Sequence, residues 1–328
     1  MTIDDFVLRT ASSGSEAGTP PRPACARPRV MPLVVNAGAG AGAARDAAEA
    51  AEAMLSAAGI ETRRVLVAPG ADLTERTLAL LQERPAAIIA AGGDGTINAV
   101  ASALAGTGTP LGVLPLGTLN HFAKDVGIPL DVTDAARTIA AGHTIDIDVA
   151  EVNGRVFLNN SSLGLYPSIV RSRDSQQRRL GRGKWPALAW ATLTTLRRRP
   201  FLNVRVCTDH TSRRCTTSFV FIGNNVYTME GFDIGHRERL DAGQLSLYLT
   251  RRCSRLRLVT LAVRALFGRL HQADDFEALT AESISIETPH ERLHVSTDGE
   301  VTMLDTPLEY RIRPRALRVL VPAAVERD

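Results

Sequence analysis

The sequence predicts an α/β fold joined to a β-rich half, and three observations support this prediction. Over residues 30–141, short apolar runs alternate with helix-like runs, which is typical of a parallel, doubly wound sheet. Three of the predicted strands end in glycine-rich turns, at the carboxyl edge where such sheets bind ligands. From about residue 143 the helical pattern gives way to short alternating runs, which predict antiparallel strands.

The bulk composition indicates a globular chain with two domains. It has 328 residues, 45% of them hydrophobic and 22% charged, and a formal net charge of +3. This small charge does not favour nucleic acid as a partner, and no apolar run approaches the roughly 20 residues that cross a bilayer. Residues 1–28 contain acids and a stretch rich in Pro, Ser, Gly and Ala, so we expect a disordered leader rather than a signal peptide.

The first half predicts alternating strands and helices. Apolar, β-branched runs predict strands at 30–36, 62–67, 86–91 and 111–114. Between and after them, helical patterns cover 43–58, 73–83, 97–104, 119–126 and 133–141. Gly59 ends the first helix, and Pro85 separates the second helix from the next strand.

The second half predicts a β-rich domain with helical insertions. Residues 144–152 alternate, Asn153 and Gly154 form a tight turn, and the strand pattern continues over 155–159. Further strands are predicted at 203–208, 216–222, 245–250, 283–287, 293–296, 308–313 and 316–321. Helical insertions are predicted at about 188–196 and 255–271.

The glycine-rich turns carry the strongest functional signal. One turn contains Gly92, Gly93, Asp94, Gly95 and Thr96, and the next β-α unit contains a second turn with Gly117, Thr118 and Asn120. A further turn begins at Asn36. Glycines at a strand-to-helix turn let backbone N–H groups approach an anion, with the helix N-terminus behind them. Side by side, the turns predict a cradle for a nucleotide polyphosphate.

Two acidic turns are candidates for chemistry. Asp298 and Glu300 flank Gly299, and a carboxylate placed in this way can accept the proton of an attacking hydroxyl group. The motif alone is weak, because turn tips often contain Asp-Gly. Asp241 precedes Ala242 and Gly243, where it is either a ligand for a hard cation or part of an ordinary type I turn.

Other features allow more than one interpretation. Asn159–Asn160 and Asn224–Asn225 end apolar runs, so they either line a polar cleft or serve turns. The stretch 171–199 holds nine basic residues and two tryptophans; it suits an anionic membrane, RNA or a solvated face. Cys207 and Cys215 could approach each other across a hairpin, although two reduced thiols are the simpler interpretation.

The chain resembles the diacylglycerol kinase catalytic family, which includes bacterial soluble lipid kinases and sphingosine kinases. The resemblance rests on the turns at 92–96 and 115–120 and on Asp298-Gly299-Glu300, and it covers about residues 30–322. It implies an α/β nucleotide-binding domain like that of NAD kinases at 29–142, to which a final strand at about 314–322 returns. Residues 143–313 would then form an antiparallel β-rich lipid-substrate domain.

The resemblance also implies roles for individual residues. Residues that would contact or shape the phosphate site of ATP are Asn36, Gly92, Gly93, Asp94, Gly95, Thr96, Gly117, Thr118 and Asn120. Asp298 would be the general base and Glu300 would support it or the metal. Mg²⁺ would be held by Asp94 or Glu300, and a structural Mg²⁺ by Asp241.

Three positions depart from the family pattern. Asn36 is followed by Ala37 in a turn that usually contains proline and serine, and His121 stands where an acid is usual. Ala242 replaces the second Asp of the usual Asp-Asp-Gly, so the structural Mg²⁺ site is weakened or absent.

The resulting expectation is a cytoplasmic, ATP-dependent lipid kinase, with diacylglycerol as the favoured acceptor and phosphatidic acid as the product. It would associate peripherally with the inner face of the cell membrane, without nucleic acid, and could form a homodimer. Two alternatives stay open from the sequence: an NAD kinase-type enzyme with a soluble substrate, and a non-catalytic nucleotide or lipid sensor on the same scaffold.

Overall fold

The computed structural model describes residues 30–36, 43–68, 72–164, 201–209, 211–230, 233–250 and 276–323. Several predictions fall outside the described residues: the leader at 1–28, the glycine-rich turn at 37–42, the basic stretch at 171–199 and the helical insertions at 188–196 and 255–271.

The first half is the predicted α/β unit. Its elements are β1 (Met31–Asn36), α1 (Ala43–Ala57), β2 (Thr62–Val67), α2 (Leu73–Leu81), β3 (Ile88–Gly92), α3 (Asp94–Leu104), β4 (Leu111–Pro115), α4 (His121–Asp125) and α5 (Val132–Ala141). The strands run parallel in the order β2-β1-β3-β4. Asp72 and Asp131 cap α2 and α5, since each carboxylate accepts two backbone N–H groups of the first turn.

The second half consists of strands in the described residues. They are β5 (Thr144–Val152), β6 (Arg155–Phe157), β7 (Asn160–Gly164), β8 (Leu202–Thr208), β9 (Ser212–Thr217), β10 (Phe219–Asn224), β11 (Tyr227–Glu230), β12 (Asp233–Arg237), β13 (Leu245–Thr250), β14 (Phe276–Ala281), β15 (Ser283–Glu287), β16 (Arg292–Thr297), β17 (Glu300–Asp305) and β18 (Leu308–Leu320). The turn between β5 and β6 has positive φ at Asn153 and Gly154, as the Asn-Gly pair predicts.

The two halves share one mixed sheet of ten strands. Strand β18 runs parallel to β4 at its C-terminal end and antiparallel to β5 and β15. The sequence predicted two separate strands here, at 308–313 and 316–321, and that was wrong. An irregularity between Arg313 and Leu317 bends one continuous strand, and the positive-φ Arg315 within it donates its N–H to Asp148 at 2.8 Å.

A second, six-stranded antiparallel sheet has the order β14-β13-β10-β7-β16-β17. Its apolar face and the antiparallel part of the mixed sheet enclose a core that includes Phe157, Ile222, Leu247 and Tyr310. The interpretation of Asn160 as a strand end was wrong, because β7 is a central strand of this sheet. Because its serines are polar, β7 shows no apolar strand pattern in the sequence. Ser161 is nevertheless buried, and its hydroxyl oxygen lies 3.1 Å from that of Tyr310.

The structure also answers the predictions for the strand at 216–222 and for the pair of cysteines. The predicted strand 216–222 is two strands, since β9 ends at Thr217 and β10 begins at Phe219. Cys207 and Cys215 are free cysteines on β8 and β9. Among the described residues, no helix combines the length and apolar character needed to cross a membrane.

The α/β core should depend strongly on β3, whose residues are all buried. Ile88 is 0% exposed, and truncation to alanine leaves a cavity that typically lowers the free energy of unfolding by roughly 2–5 kcal/mol. We expect this loss for Ile88→Ala in urea denaturation. The matched control is Leu66→Ala on β2, where the side chain is 43% exposed. Equal stability of the two variants would contradict the prediction.

Candidate active site

The ends of three parallel strands lie side by side at one edge of the mixed sheet. Val35 pairs with Ala91, which places Asn36 beside the end of β3, and Gly92 pairs with Pro115 at the end of β4. The glycine-rich turns that follow β3 and β4 therefore lie next to each other, as a cradle requires. This edge is the carboxyl edge of the parallel strands, where ligands of such sheets bind.

The turn after β3 is shorter than predicted, because α3 begins at Asp94 rather than at residue 97. Gly93 is the N-cap and has no side chain to satisfy the first N–H groups; the first helical bond runs from the Ile97 N–H to the Gly93 carbonyl at 3.1 Å. The N–H groups at the start of a helix have no partner within the helix. The residues Asp94, Gly95 and Thr96 therefore present backbone donors suited to an anion.

The two glycine turns touch each other. The Leu116 N–H donates to the Gly92 carbonyl at 3.0 Å. A Cβ atom added to Gly117 would lie 2.6 Å from the Cα of Gly93, and one added to Gly93 would lie 3.3 Å from the Cα of Gly117. The close backbone approach therefore requires glycine at position 117.

Asn120 shapes the second turn. It adopts a left-handed conformation with φ of 50°, and its side chain is buried. Its Oδ1 accepts the Gly117 N–H at 3.0 Å, and its Nδ2 donates to the Gly117 carbonyl at 2.9 Å. The amide is thus used inside the turn, whereas Thr118 is exposed beside it.

Asp94 links the two turns. Its Oδ1 accepts the N–H of Phe122, at the start of α4, at 3.3 Å. The side chain is half-buried, and among the described residues this is the one hydrogen bond that it makes. The remaining carboxylate lone pairs are of the kind that Mg²⁺ binds.

Asp298 is held by backbone N–H groups from the start of β7 and the residues before it. Oδ1 accepts from Asn159 at 2.8 Å and from Asn160 at 3.0 Å, and Oδ2 accepts from Leu158 at 2.7 Å. Asp298 itself has φ of 48° in the tight turn between β16 and β17. Burial raises the pKa of this carboxyl above its usual range, against the opposing effects of the three N–H groups and the charge of Arg237.

Glu300 places the turn formed by Asp298, Gly299 and Glu300 beside the glycine turn that follows β3. Its Oε2 accepts from Arg155 Nη2 at 2.9 Å. A Cβ atom added to Gly95 would lie 3.2 Å from Glu300 Oε1, so this carboxylate lies against the first turn of α3. The structure therefore brings Glu300 together with Gly95, although the two residues are far apart in sequence.

Arg237 is a residue that the sequence analysis missed. It is 2% exposed, and its guanidinium lies 5.5 Å from the ring centroid of Tyr227. Nη2 donates to Asp125 at 2.6 Å, and Nη1 donates to the Leu158 carbonyl at 2.8 Å. No local pattern marks it, because it is one of several charged residues between 236 and 241.

The asparagines that could have lined a polar cleft serve structure instead. Asn224 and Asn225 are buried, and Asn224 Nδ2 donates to the Asp148 carbonyl at 3.0 Å and to the Leu158 carbonyl at 2.8 Å. The turn interpretation suits Asn225, which follows β10 with a positive φ of 68°, whereas Asn224 lies within β10 and bonds to backbone carbonyls of distant segments.

Asp241 is paired within its own turn. It accepts from Arg239 at 3.1 Å, and the neighbouring Gly243 N–H donates to Asp148 at 2.7 Å. In the part of the chain that the structure describes, no group of three or more His, Cys, Asp or Glu side chains is arranged to hold a metal ion. A cation at Asp241 would therefore rely on backbone carbonyls and water.

Comparison with known families gives two matches. Residues 31–152 match the model described as "Diacylglycerol kinase catalytic domain". Residues 162–321 match "YegS C-terminal NAD kinase beta sandwich-like domain". Together the two models cover most of the chain and all the predicted site residues.

Individual relatives are similar over different lengths. An uncharacterised protein of Synechocystis is 31% identical over 248 residues, which is 72% of this chain but only 54% of that protein, so the chain spans about half of its length. A protein named diacylglycerol kinase from Mycobacterium tuberculosis is 29% identical over 290 residues, covering 86% of this chain and 92% of the relative.

A crystal structure of a putative diacylglycerol kinase from Bacillus anthracis superimposes with a TM-score of 0.70, over 90% of this chain and 99% of that one. At 24% identity, this likeness establishes a shared two-domain fold.

Proposed function

This chain belongs to the diacylglycerol kinase catalytic family, and on that premise we propose that it is a lipid kinase. It transfers the γ-phosphate of Mg·ATP to a lipid hydroxyl group, with diacylglycerol as the favoured acceptor and phosphatidic acid as the product. The choice of diacylglycerol follows the name of the Mycobacterium tuberculosis relative. The enzyme works from the cytoplasmic side at a membrane surface, where such a lipid resides.

The observation that carries the proposal is the approach of the carboxylate turn to the glycine turn. A Cβ atom added to Gly95 would lie 3.2 Å from Glu300 Oε1. Phosphoryl transfer needs a phosphate site, a cation site and a proton acceptor together. In this proposal the start of α3 would supply the phosphate site, Asp94 and Glu300 the cation site, and Asp298 the proton acceptor.

The residues at this edge of the sheet fit a polyphosphate and a divalent cation. Gly93 and Gly117 lack Cβ atoms, so the two turns can lie in backbone contact, and α3 presents the N–H groups of its first turn beside them. Asp94 precedes Gly95 in the sequence and Glu300 Oε1 lies against Gly95, and carboxylate oxygens of this kind are the ligands that a hard cation prefers. The nucleotide supplies the transferable phosphoryl group when it is bound here.

Asp298 accepts the proton of the lipid hydroxyl in this proposal. Oδ1 already receives two N–H groups, whereas Oδ2 receives one, so Oδ2 keeps a lone pair for the proton. The three bonds fix the orientation of the carboxylate. A raised pKa makes a carboxylate a stronger base near neutral pH, so the burial of Asp298 favours this role.

Two further parts of the proposal rest on the sequence alone: the basic stretch at 171–199 is a candidate contact with anionic lipids, and the protein could act as a homodimer. Asp241 is a candidate second cation site, at which the cation would compete with the ion pair to Arg239.

The experiment that tests the function is transfer of labelled γ-phosphate from Mg·ATP to lipids in mixed micelles, with diacylglycerol, sphingoid bases, phosphatidylglycerol and polyprenols as acceptors. Transfer to any of these lipids supports the kinase. Transfer to NAD alone would replace the proposal with a soluble-substrate kinase, and ATP binding without transfer would indicate a sensor.

Glu300→Gln tests the cation site. The amide keeps a hydrogen-bond acceptor for Arg155 but loses the charge, so we expect the Mg²⁺ concentration at half-maximal rate to rise on the order of tenfold. Steady-state kinetics over a Mg²⁺ titration measures this change. The control is Glu83→Gln, which removes the charge from an exposed pair with Arg63. An unchanged Mg²⁺ dependence in Glu300→Gln would remove Glu300 from the metal site.

A further inference from the structure

Arg237 lies between the two sets of residues that the proposed reaction must hold in register. On one side is α4, which follows the second glycine turn; on the other is the segment 158–160, whose N–H groups hold Asp298. The side chain is 2% exposed, so its contacts are shielded from water.

Every N–H of the guanidinium is used. Nε and Nη2 both donate to Asp125 Oδ2, at 3.1 and 2.6 Å, and Nη2 also donates to Asn159 Oδ1 at 3.0 Å. Nη1 donates to the Leu158 carbonyl at 2.8 Å and to the Asn224 carbonyl at 3.1 Å. A planar, fully charged group with fixed donor directions can hold several acceptors in one geometry.

The same short segment is therefore held from both sides. Arg237 holds the carbonyl of Leu158 and the side chain of Asn159, while the N–H groups of these residues hold the carboxylate of Asp298. Asp125, which anchors the guanidinium, has a side chain that is 15% exposed and comes from the α/β half. A continuous series of hydrogen bonds thus connects α4, through Arg237 and the 158–160 segment, to Asp298.

We propose that Arg237 is a positioning residue. By joining Asp125 to the 158–160 segment, it fixes the carboxylate of Asp298 relative to the two glycine turns that follow β3 and β4. The proposal rests on the proposed kinase function for its kinetic consequence, but its geometric part does not. Small displacements of a reacting group can lower a rate by about 100-fold, so the distance between base and phosphate is a sensitive quantity.

The binding of ATP should depend little on this contact. The second glycine turn is held by its own bonds from Asn120, and Asp94 accepts the Phe122 N–H directly. Loss of Arg237 therefore leaves the phosphate turns in place and displaces the base. The signature of a positioning role is a fall in kcat with an unchanged KM for ATP.

The kinetic test uses Arg237→Lys and Asp125→Asn. Lysine keeps the charge but cannot reach all these acceptors, and asparagine keeps the shape of Asp125 but loses the ion pair. We expect kcat to fall by roughly 10- to 100-fold in Arg237→Lys, and by less in Asp125→Asn, with KM for ATP within about twofold. The control is Arg318→Lys, which alters an exposed pair with Asp146. An unchanged kcat in Arg237→Lys would overturn the proposal.

A double-mutant cycle separates positioning from general damage. If Arg237 acts through Asp298, then Arg237→Lys should lower the residual rate little further when Asp298→Asn is already present. If the fold-losses in kcat of the two single variants multiply in the double variant, the proposal is overturned, because a merely structural defect lowers the rate in either background.

Hydrogen exchange tests the geometry without any activity. The amides of residues 158–160 should exchange faster in Arg237→Lys than in the wild type, while the amides of the buried strand β3 keep their protection. Unchanged exchange at 158–160 would overturn the proposal even if the kinase is active. If the wild type phosphorylates no lipid but this exchange increases, the proposed function fails and the positioning of Asp298 by Arg237 stands.

Discussion

Replacing Asp298 with asparagine is expected to lower kcat for lipid phosphorylation by about 10²- to 10⁴-fold, the usual contribution of a general base. The amide cannot accept the proton of the attacking hydroxyl group. Its Oδ1 can still receive the N–H groups of Asn159 and Asn160, so the turn keeps most of its hydrogen bonds. ATP binding, measured by calorimetry, should change little, because the phosphate turns contain no atom of Asp298.

The pH dependence gives a second measurement of the same residue. Burial raises the pKa of Asp298, so the folded enzyme holds this proton at pH values where an ordinary carboxyl has lost it. The wild-type rate should therefore fall as the pH drops through this raised pKa, and the variant should lack this acidic limb.

The matched control for Asp298→Asn is Asp305→Asn at the other end of β17. Asp305 forms an exposed pair with Arg292 at 2.9 Å, and its side chain is 79% exposed. The substitution makes the same chemical change far from the proposed base, and it should leave kcat unchanged. If Asp298→Asn kept the wild-type rate and pH profile, Asp298 would not be the base.

Replacing Gly117 with alanine is expected to abolish the phosphate cradle. The new methyl group would lie 2.6 Å from the Cα of Gly93 and 2.7 Å from Asn120 Oδ1. A backbone atom cannot give way as a flexible side chain can, so the two turns must separate, at a cost of typically 1–3 kcal/mol in folding free energy. We expect the affinity for ATP to fall by at least tenfold in calorimetry.

Gly108→Ala is the control for this change. Gly108 precedes β4, at the opposite end of that strand from the phosphate turns, and an added Cβ atom meets nothing within 4 Å. Its positive φ of 73° means that alanine also costs stability there, by roughly 1 kcal/mol. A loss of stability without a loss of ATP affinity is expected in Gly108→Ala. Equal ATP affinity in Gly117→Ala and the wild type would contradict the cradle.

Features that depend on neighbouring residues were predicted well. Strand β2 has the predicted bounds, Thr62–Val67, because an apolar, β-branched run between turns has few alternatives. The Asn153–Gly154 turn adopts the positive φ values that this pair favours. The alternation of strands and helices predicted the parallel sheet, and with it the edge at which the glycine turns lie.

Features that depend on distant residues were predicted poorly. The segment 308–320 contains Pro314 and was divided into two strands, because a bulge in one long strand resembles a break. Strand β7 was not predicted, because its serines are polar. It is a central strand only through its antiparallel pairing with β10 on one side and β16 on the other. The sequence offers no sign of the partners that accept such side chains.

By itself, the sequence determined the α/β class, the strand-end glycine turns and the acidic turn at 298–300, since each rests on residue types within a few positions of one another. The tertiary structure alone decided that Glu300 lies against Gly95, that Asp298 is held by N–H groups about 140 residues away, and that Arg237 joins both halves. The physical reason is the range of the interactions. Backbone conformation responds to neighbouring side chains, whereas hydrogen bonds and burial between remote segments exist only after the sheets have packed together.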